Sequence, residues 1–426
     1  MSRRRVAAFA GVYGSVALGI AAALVILRVL GPAGAGRFSI VVGAVDFLAL
    51  LVWLTSDDAL VKYGFRYSAA GDWGRFRRLI RVTFTCEVAA SLLASALIAG
   101  IAPFTGSIFH HGGAGLTAPM LIAAALPPLQ AFESIAAATL ILRSRYDLRG
   151  AWLTLSMALR LAGIATGAHW GVTGAVVGVV CAQVLTTISI LAVGLSGLRK
   201  FPAAEHVPLG DDRRPIVRFV AQSAAYTGLI SLRTWIAPLT LGIVRSATDV
   251  GLFRGAQAPQ TGFAALSSPL RMILLTEQTR DWEHGRPEVV LAGIRRYTIG
   301  ATVIAAVSLG PALWVMPWAV RVVLTAKYLP AVSAARLILV AAAIQMILSW
   351  TKTFPVTIGR PGLRLVAHGI ETVVLLPLIV VFGKRWGVTG AGAAVLVSSC
   401  AFAAAWAAIY VRLRRTGFAA PPPSEA

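Results

Sequence analysis

Arg233 and Arg271 each interrupt a long apolar run, and Asp46, Asp57 and Asp58 sit in or beside another. A charge at the centre of such a run costs about 2.5–3.5 kcal/mol on insertion scales, so these residues are candidates for binding or gating. Arginine stays charged at physiological pH, and its planar fork grips phosphate through two parallel bonds. The chemistry on offer is recognition of an anion, with carboxylates as counter-charges. Catalytic residues are not expected. His110-His111 is the only histidine cluster; adjacent side chains diverge and no third ligand is near, so no metal site is expected. A Gly-rich phosphate loop with its lysine is missing, so nucleotide hydrolysis is not indicated and no cofactor is expected.

The elements that must position these residues are membrane spans. Hydrophobic residues make up 57% of the 426, charged residues 13%, and the mean hydropathy is +0.77. A soluble chain of that composition would expose far more apolar surface than stays in solution. Apolar runs of about 20 residues, the length that crosses a hydrocarbon core, recur almost throughout. About twelve spans are expected, near 6–30, 38–60, 79–102, 116–142, 150–169, 172–197, 216–244, 251–276, 290–316, 328–356, 362–383 and 387–411.

The net charge of +22 is arranged for a membrane and not for nucleic acid. Sorting the 39 Lys and Arg by alternate loops puts about 26 on one side and about 8 on the other, a positive-inside pattern. The expected location is the inner, cytoplasmic membrane of the cell, crossed many times, with both termini cytoplasmic and the basic face against anionic headgroups. The run after Arg3, Arg4 and Arg5 extends to Leu30 without a small-residue cleavage site, so it reads as a first helix with its anchor. Cys86, Cys181 and Cys400 lie within spans and form no close-spaced motif, which suits small apolar fillers.

The chain is also written twice. Gly36 and Phe38 recur as Gly251 and Phe253, Arg81 as Arg296, Gln130 as Gln345, and Arg145 as Arg360, all 215 apart. After one inserted residue, Trp170-Gly171-Val172-Thr173-Gly174-Ala175 returns as Trp386-Gly387-Val388-Thr389-Gly390-Ala391, now 216 apart. Arg, Gln and Trp holding one offset over so long a stretch mark an internal repeat. An even number of spans per copy makes the repeats parallel, about an axis along the membrane normal. The expected fold is all-α and polytopic, with two parallel six-helix lobes around a central cleft. The first lobe is expected over 1–200, a polar cytoplasmic linker over 201–215, the second lobe over 216–412 and a tail over 413–426. Glycines 11, 14 and 19 in the first span and Pro238, Gly255, Pro259, Gly262 and Pro269 in the seventh and eighth are candidates for bending or for close packing.

The copies disagree at the charges singled out. Subtracting 215 places Arg233 opposite Leu18 and Arg271 opposite Ser56, so the first copy has no cation at either place. A charge that the fold does not need in one copy is a functional candidate in the other.

The repeated stretches also carry a resemblance. Leu30-Gly31-Pro32-Ala33-Gly34-Ala35-Gly36-Arg37-Phe38-Ser39 resembles the signature between the first two helices of polysaccharide-unit flippases, within the multidrug, oligosaccharidyl-lipid and polysaccharide exporter superfamily. Ala59-Leu60-Val61-Lys62-Tyr63, Gly71-Asp72-Trp73-Gly74-Arg75-Phe76-Arg77-Arg78 and Arg143-Ser144-Arg145-Tyr146-Asp147-Leu148-Arg149 are similar to further stretches of that first half. Asp249-Val250-Gly251-Leu252-Phe253-Arg254-Gly255-Ala256 is similar to the second-half counterpart.

The resemblance implies a lumen formed by the first, second, seventh and eighth helices, and export of an undecaprenyl-pyrophosphate-linked oligosaccharide from the inner to the outer leaflet by alternating access. Membrane lipids and that cargo would be the partners, with a glycan polymerase and glycosyltransferases of the same pathway as further candidates. On that footing Arg233, Arg271 and Asp46 would bind cargo. Arg271 lies about 27 Å along its helix from Phe253, near the cytoplasmic edge, at 1.5 Å per residue. There it would pair with Asp57 or Asp58 as a gate. Glu87, Glu133, Arg160, Arg336, Lys352 and Glu371 fall outside that lumen and are expected to bond between helices within a lobe. The alternatives are a lipid II flippase and a cation-coupled multidrug exporter of the same superfamily. The chain lacks a clear extra helix pair and an arginine in the inner part of the first span, against the former. It lacks Asp and Glu in spans 6–30 and 216–244, against the latter. A membrane polysaccharide polymerase would need a sizeable external loop with catalytic carboxylates, which this chain does not carry.

Overall fold

The computed structural model describes residues 3–52, 56–109, 113, 115–205, 207–261, 278, 281, 282, 284, 286–358, 360 and 362–416. His110, His111 and Arg271 fall outside the described residues, as do Gly262 and Pro269. Among the described residues the architecture is helical, with no strand. Among the described residues, seven helices are long and apolar enough to cross a membrane, and three of them, of 41, 53 and 54 residues, are long enough to cross twice at about 20 residues per crossing. The chain is a multi-pass membrane protein. The helices over 213–244 and 247–261 occupy the seventh and eighth expected spans, which brings the pattern into line with the twelve-helix, two-lobe architecture expected from the sequence.

The chain forms two compact units, Met1–Leu239 and Thr240–Ala426. The division falls inside the seventh span and not at the polar connection. In the first unit α1 (Arg3–Val52), α2 (Ser56–Ala69), α3 (Trp73–Ile101), α4 (Thr117–Ala123), α5 (Leu126–Leu142), α6 (Tyr146–Gly167) and α7 (Gly171–Leu198) are followed by α8 (Arg213–Val244), which crosses the division. The second unit continues with α9 (247–261), α10 (Pro287–Val323), α11 (Val332–Ile347) and α12 (Gly362–Thr416).

Glycines in the left-handed region make the reversals. Gly171 between α6 and α7 has φ 77°, and its repeat mate Gly387, which breaks α12 into two arms, has φ 57°. A side chain at such an angle is strained, so the Trp-Gly-Val-Thr-Gly motif is retained in both copies for a backbone reason. The tryptophans that precede the two glycines, Trp170 and Trp386, are exposed, as befits an aromatic belt at a membrane boundary.

Lipid tails are as apolar as leucine, so packing density, small residues and interhelical bonds hold membrane helices together. The α6–α7 crossing shows this: the backbones of Gly163 and Gly178 touch, and so do those of Gly167 and Gly174. The first-span glycines also serve packing. Gly11 lies on the Gly150 backbone, Gly14 beneath Thr154 and Gly19 beside Met157, all on α6. In the second unit Gly255 makes room for the fully buried Tyr328. Phe38 and its repeat mate Phe253 are both buried. Ser246 and Asp249 form a reciprocal capping box, with the Ser246 hydroxyl donating to Asp249 Oδ2 at 2.8 Å and the Asp249 N–H donating to Ser246 Oγ at 3.2 Å. That box starts α9 and accounts for the Asp in the Asp-Val-Gly-Leu-Phe stretch.

The polar connection is folded, not slack. Phe201 packs among Trp73, Phe76 and the guanidinium of Arg143. Arg77 donates to the carbonyls of Pro202 and Phe201, and the Val207 N–H donates to Gly74 O. Asp212 accepts the Tyr67 hydroxyl at 2.9 Å and faces Arg66 at 3.4 Å and Arg75 at 3.9 Å. Ile216 and Phe219 then carry α8 into the same cluster, with Lys62 Nζ 4.2 Å over the Phe219 ring. The Gly71-to-Arg78 stretch and Arg143 thus share one task, seating residues 199–212 on the first unit. Asp72 caps α3 by accepting from Arg75 N at 3.0 Å.

Candidate functional site

Asp46 lies on the second arm of α1, half-buried. One turn before it, Gly43 meets α8: a methyl group there would stand 3.2 Å from Trp235 Cε3 and 3.5 Å from Leu239 Cδ2. Glycine at 43 is what lets the indole of Trp235 lie against α1. Arg233 is two residues before Trp235 on α8. The first unit therefore brings the segment that carries Asp46 against the segment that carries Arg233. The Arg233 side chain, like those of Asp57 and Asp58 at the start of α2, is outside the described residues; only their helical backbone is described. The expected Arg271 gate with Asp57 or Asp58 also falls there, since Arg271 itself is outside.

Four of the remaining charges within spans, Glu87, Glu133, Arg336 and Glu371, bond across helices inside a unit to neutral groups. Glu133 on α5 accepts from the hydroxyls of Thr186 and Thr187 on α7, both at 3.0 Å. Such interhelical bonds average about 0.6 kcal/mol in a bilayer. Arg336 Nε on α11 donates to Leu313 O on α10 at 3.0 Å. In the second unit Glu371, fully buried, accepts from Gln345 Nε2 at 3.3 Å and lies 3.2 Å from His368 Nδ1, whose ring stacks on Phe402. Gln345 also donates to Ser399 Oγ at 3.1 Å. The first unit's counterpart of Ser399 is Gln183, 216 residues earlier. It lies on α7, the helix that bonds Glu133.

A further feature went unread in the sequence: a recess of about 40 Å³ between α1, α3 and α5, bordered by Glu87, Ser91, Gln130 and Ser134 with Ala49, Ala94 and Ala131. The Ser134 hydroxyl donates to Glu87 Oε1 at 2.9 Å. The legible signal was the pairing of small residues with a carboxylate at helical spacing: Glu87, Ser91 and Ala94 share one buried face of α3.

No protein-family profile matches the chain, and no curated protein does. Solved structures do. The lipid II flippase MurJ in an inward closed conformation aligns with TM-score 0.75 over 95% of this chain and 87% of its own, at 11% identity. The fold is that of the multidrug, oligosaccharidyl-lipid and polysaccharide exporter superfamily. An inward-facing multidrug resistance transporter of the MATE family aligns with TM-score 0.67 over 95% of this chain and 96% of its own, at 17% identity. A superfamily transporter from Pyrococcus furiosus aligns at 0.57 over 97% and 94%, at 16% identity. These neighbours are transporters and flippases, not enzymes, and their identities are low enough that the fold alone carries over.

Proposed function

We propose that this chain flips an undecaprenyl-pyrophosphate-linked oligosaccharide unit from the cytoplasmic to the outer leaflet of the inner membrane by alternating access, for polysaccharide biosynthesis. What supports the reading is the cation at 233 that the other copy lacks, on a fold shared with the lipid II flippase at TM-score 0.75 and with the multidrug transporter at 0.67. A flippase of a lipid-linked sugar must shelter a pyrophosphate in a medium where an unpartnered anion is prohibitive. Arg233, on the helix against the Asp46 segment, supplies a cation absent from the other copy. Arg271 supplies the second, and Asp46 balances Arg233 when no cargo is bound. Arg271 with Asp57 or Asp58 closes the cytoplasmic side. Against lipid II itself stands the stretch of the flippase that finds no counterpart here, since only 87% of that chain is covered.

The second reading, a cation-coupled multidrug exporter, is favoured by the fuller coverage of the multidrug transporter, 96%. A deletion strain separates the two. The flippase reading expects loss of surface glycan with lipid-linked units accumulating inside; unchanged glycan with altered drug tolerance reverses the ranking.

A further inference from the structure

Pro317 leaves one carbonyl of α10 without its backbone partner. In a helix the C=O of Leu313 takes the N–H four residues on, and proline has none to give. Arg336, one turn into α11, fills the gap: its Nε donates to Leu313 O at 3.0 Å. The first copy shows the arrangement that this replaces. At the common offset of 215, Pro317 corresponds to Ala102, Leu313 to Ile98 and Arg336 to Leu121. There the Ala102 N–H donates to Ile98 O in the ordinary way. Proline and arginine thus stand together in one copy and are both missing from the other.

The repair needs a single donor, and arginine brings more than that. With Nε held by the carbonyl, the two Nη nitrogens remain as a fork of fixed orientation, and among the described residues no carboxylate pairs with the charge. A neutral donor would have closed the carbonyl without adding a cation to an apolar span. Nor do α10, α11 and their connection supply a counter-charge, since the sequence has no Asp or Glu between Glu288 and Glu371. The connection adds two more cations, Arg321 and Lys327. The anion that answers Arg336 comes from outside the chain.

Position decides which anion. Leu313 stands about 26 Å along α10 from Arg296, at 1.5 Å per residue, which is close to the far boundary of a core about 30 Å thick. The surface at that level faces lipid: Trp314, next to Leu313, is 82% exposed and Trp318 is 66% exposed, and tryptophans of this kind sit at headgroup level. Arg336 is exposed as well, and a long arginine stem reaches from just inside the core to the phosphates. We infer that Arg336 is a binding site for the phosphate of an anionic phospholipid, at the membrane boundary remote from Arg295 and Arg296. The Nη fork takes two phosphate oxygens in parallel bonds, and a neighbourhood of cations without a carboxylate selects a net negative headgroup over a zwitterionic one.

The site does not depend on what the chain transports, and its test needs no cargo. Full-length protein in detergent is titrated with phosphatidylglycerol in place of phosphatidylcholine at constant total lipid, and Tm is followed. Tm is expected to rise and saturate with the phosphatidylglycerol fraction. Arg336→Gln removes the fork but also disturbs the Leu313 carbonyl. The deciding comparison is therefore Pro317→Ala against Pro317→Ala with Arg336→Gln, where the backbone bond is available again. The half-saturating fraction should be roughly threefold higher or more in the double variant. A smaller difference overturns the site, as does a Tm with no preference for phosphatidylglycerol in the unmodified chain. The same rise produced by inorganic phosphate at equal ionic strength, without phosphatidylglycerol, overturns the lipid assignment. If the double variant fails to fold, native mass spectrometry of Arg336→Lys decides. Lysine keeps the charge and loses the fork, so fewer phosphatidylglycerol adducts should survive activation, and retention at the unmodified level overturns the inference.

Discussion

Replacing Tyr67 with Phe removes one hydroxyl from the seat of the 199–212 segment and leaves the ring in its cluster. Tyr67 is 3% exposed, and its hydroxyl donates to Asp212 Oδ2 at 2.9 Å. A hydrogen bond to a charged partner contributes about 1.5–3 kcal/mol. The residual pairs limit the loss. Arg66 still faces Asp212 at 3.4 Å, although 63% of its side chain is exposed, and Arg75 does so at 3.9 Å. Exposed pairs of this kind contribute about 0.2–1 kcal/mol, enough to keep the carboxylate from being stranded. The expected cost is therefore about 1.5–2 kcal/mol, which corresponds to a roughly 10- to 30-fold larger population of the detached segment. Trypsin under native conditions, at a level where cleavage tracks the open population, reads this as faster cutting after Arg199 and Lys200. Cutting after Arg295 and Arg296 in the other unit serves as the internal reference. A pH series adds a second reading. Burial first, and then Asp212, push the Tyr67 hydroxyl up to about 12. The folded chain holds this proton more tightly than the unfolded chain. The resulting stabilisation is fully present below about pH 10 and is lost as pH rises through about 12. Tyr67→Phe should flatten that part of the alkaline stability curve. Cleavage within twofold of the unmodified chain, together with an unchanged alkaline limb, would refute the claim that Tyr67 and Asp212 latch the segment.

Three further outcomes are expected. Gly387→Ala forces a side chain into φ 57° and should cost about 1–3 kcal/mol of stability, seen as a lower Tm, whereas Gly310→Ala, with open space around it, should lower it by far less. Glu371→Ala leaves Gln345 and His368 without their shared acceptor inside the second unit, so its loss of Tm should exceed that of Glu371→Gln, which keeps an acceptor oxygen. Under the flippase reading, Arg233→Lys keeps the charge but loses the bidentate grip; glycan export should fall well below the unmodified level and fall further in Arg233→Ala, and equal export by all three would remove Arg233 from the cargo site.

Much of the fold was legible because a bilayer writes its demands plainly. Every backbone group in hydrocarbon must be bonded within its own helix, so apolar runs of span length could be read directly as helices. The Trp-Gly-Val-Thr-Gly stretches were legible as a repeat, and the structure adds that Gly171 and Gly387 make reversals there. The polar connection was read as a boundary because it is polar. Its actual seat depends on Phe201, Pro202, Val207 and Asp212 meeting Arg77, Gly74 and Tyr67, 124 to 145 positions away in sequence, a pairing that no local pattern encodes. The placing of the segment that carries Asp46 against α8 turned on Gly43, one of 41 glycines, and nothing in its neighbours distinguishes it. Glu87 was legible as a membrane carboxylate but not as the lining of a recess, because a recess is made by what is missing: side chains at Ala94 and Ala131, on two helices far apart in the chain.

Comparing the copies resolves which of these features belongs to architecture and which to chemistry. Where the copies agree, a backbone or packing reason is visible: left-handed φ at Gly171 and Gly387, burial of Phe38 and Phe253. Gln345 bridges Glu371 and Ser399, while Gln130 lines the Glu87 recess, so one residue type at one station of the repeat serves a polar centre in each unit. At three stations where the copies disagree, the difference is ionisable. Glu87 stands against Thr302, Glu133 against Leu348 and Arg233 against Leu18. A duplicated scaffold begins with two equal halves, and equal halves offer any ligand two equal sites. Differences in charge at matched stations remove that degeneracy, so that an anionic ligand would have one preferred place along the chain. On this argument the arginine of α8, in the first of the two units, is a product of that divergence.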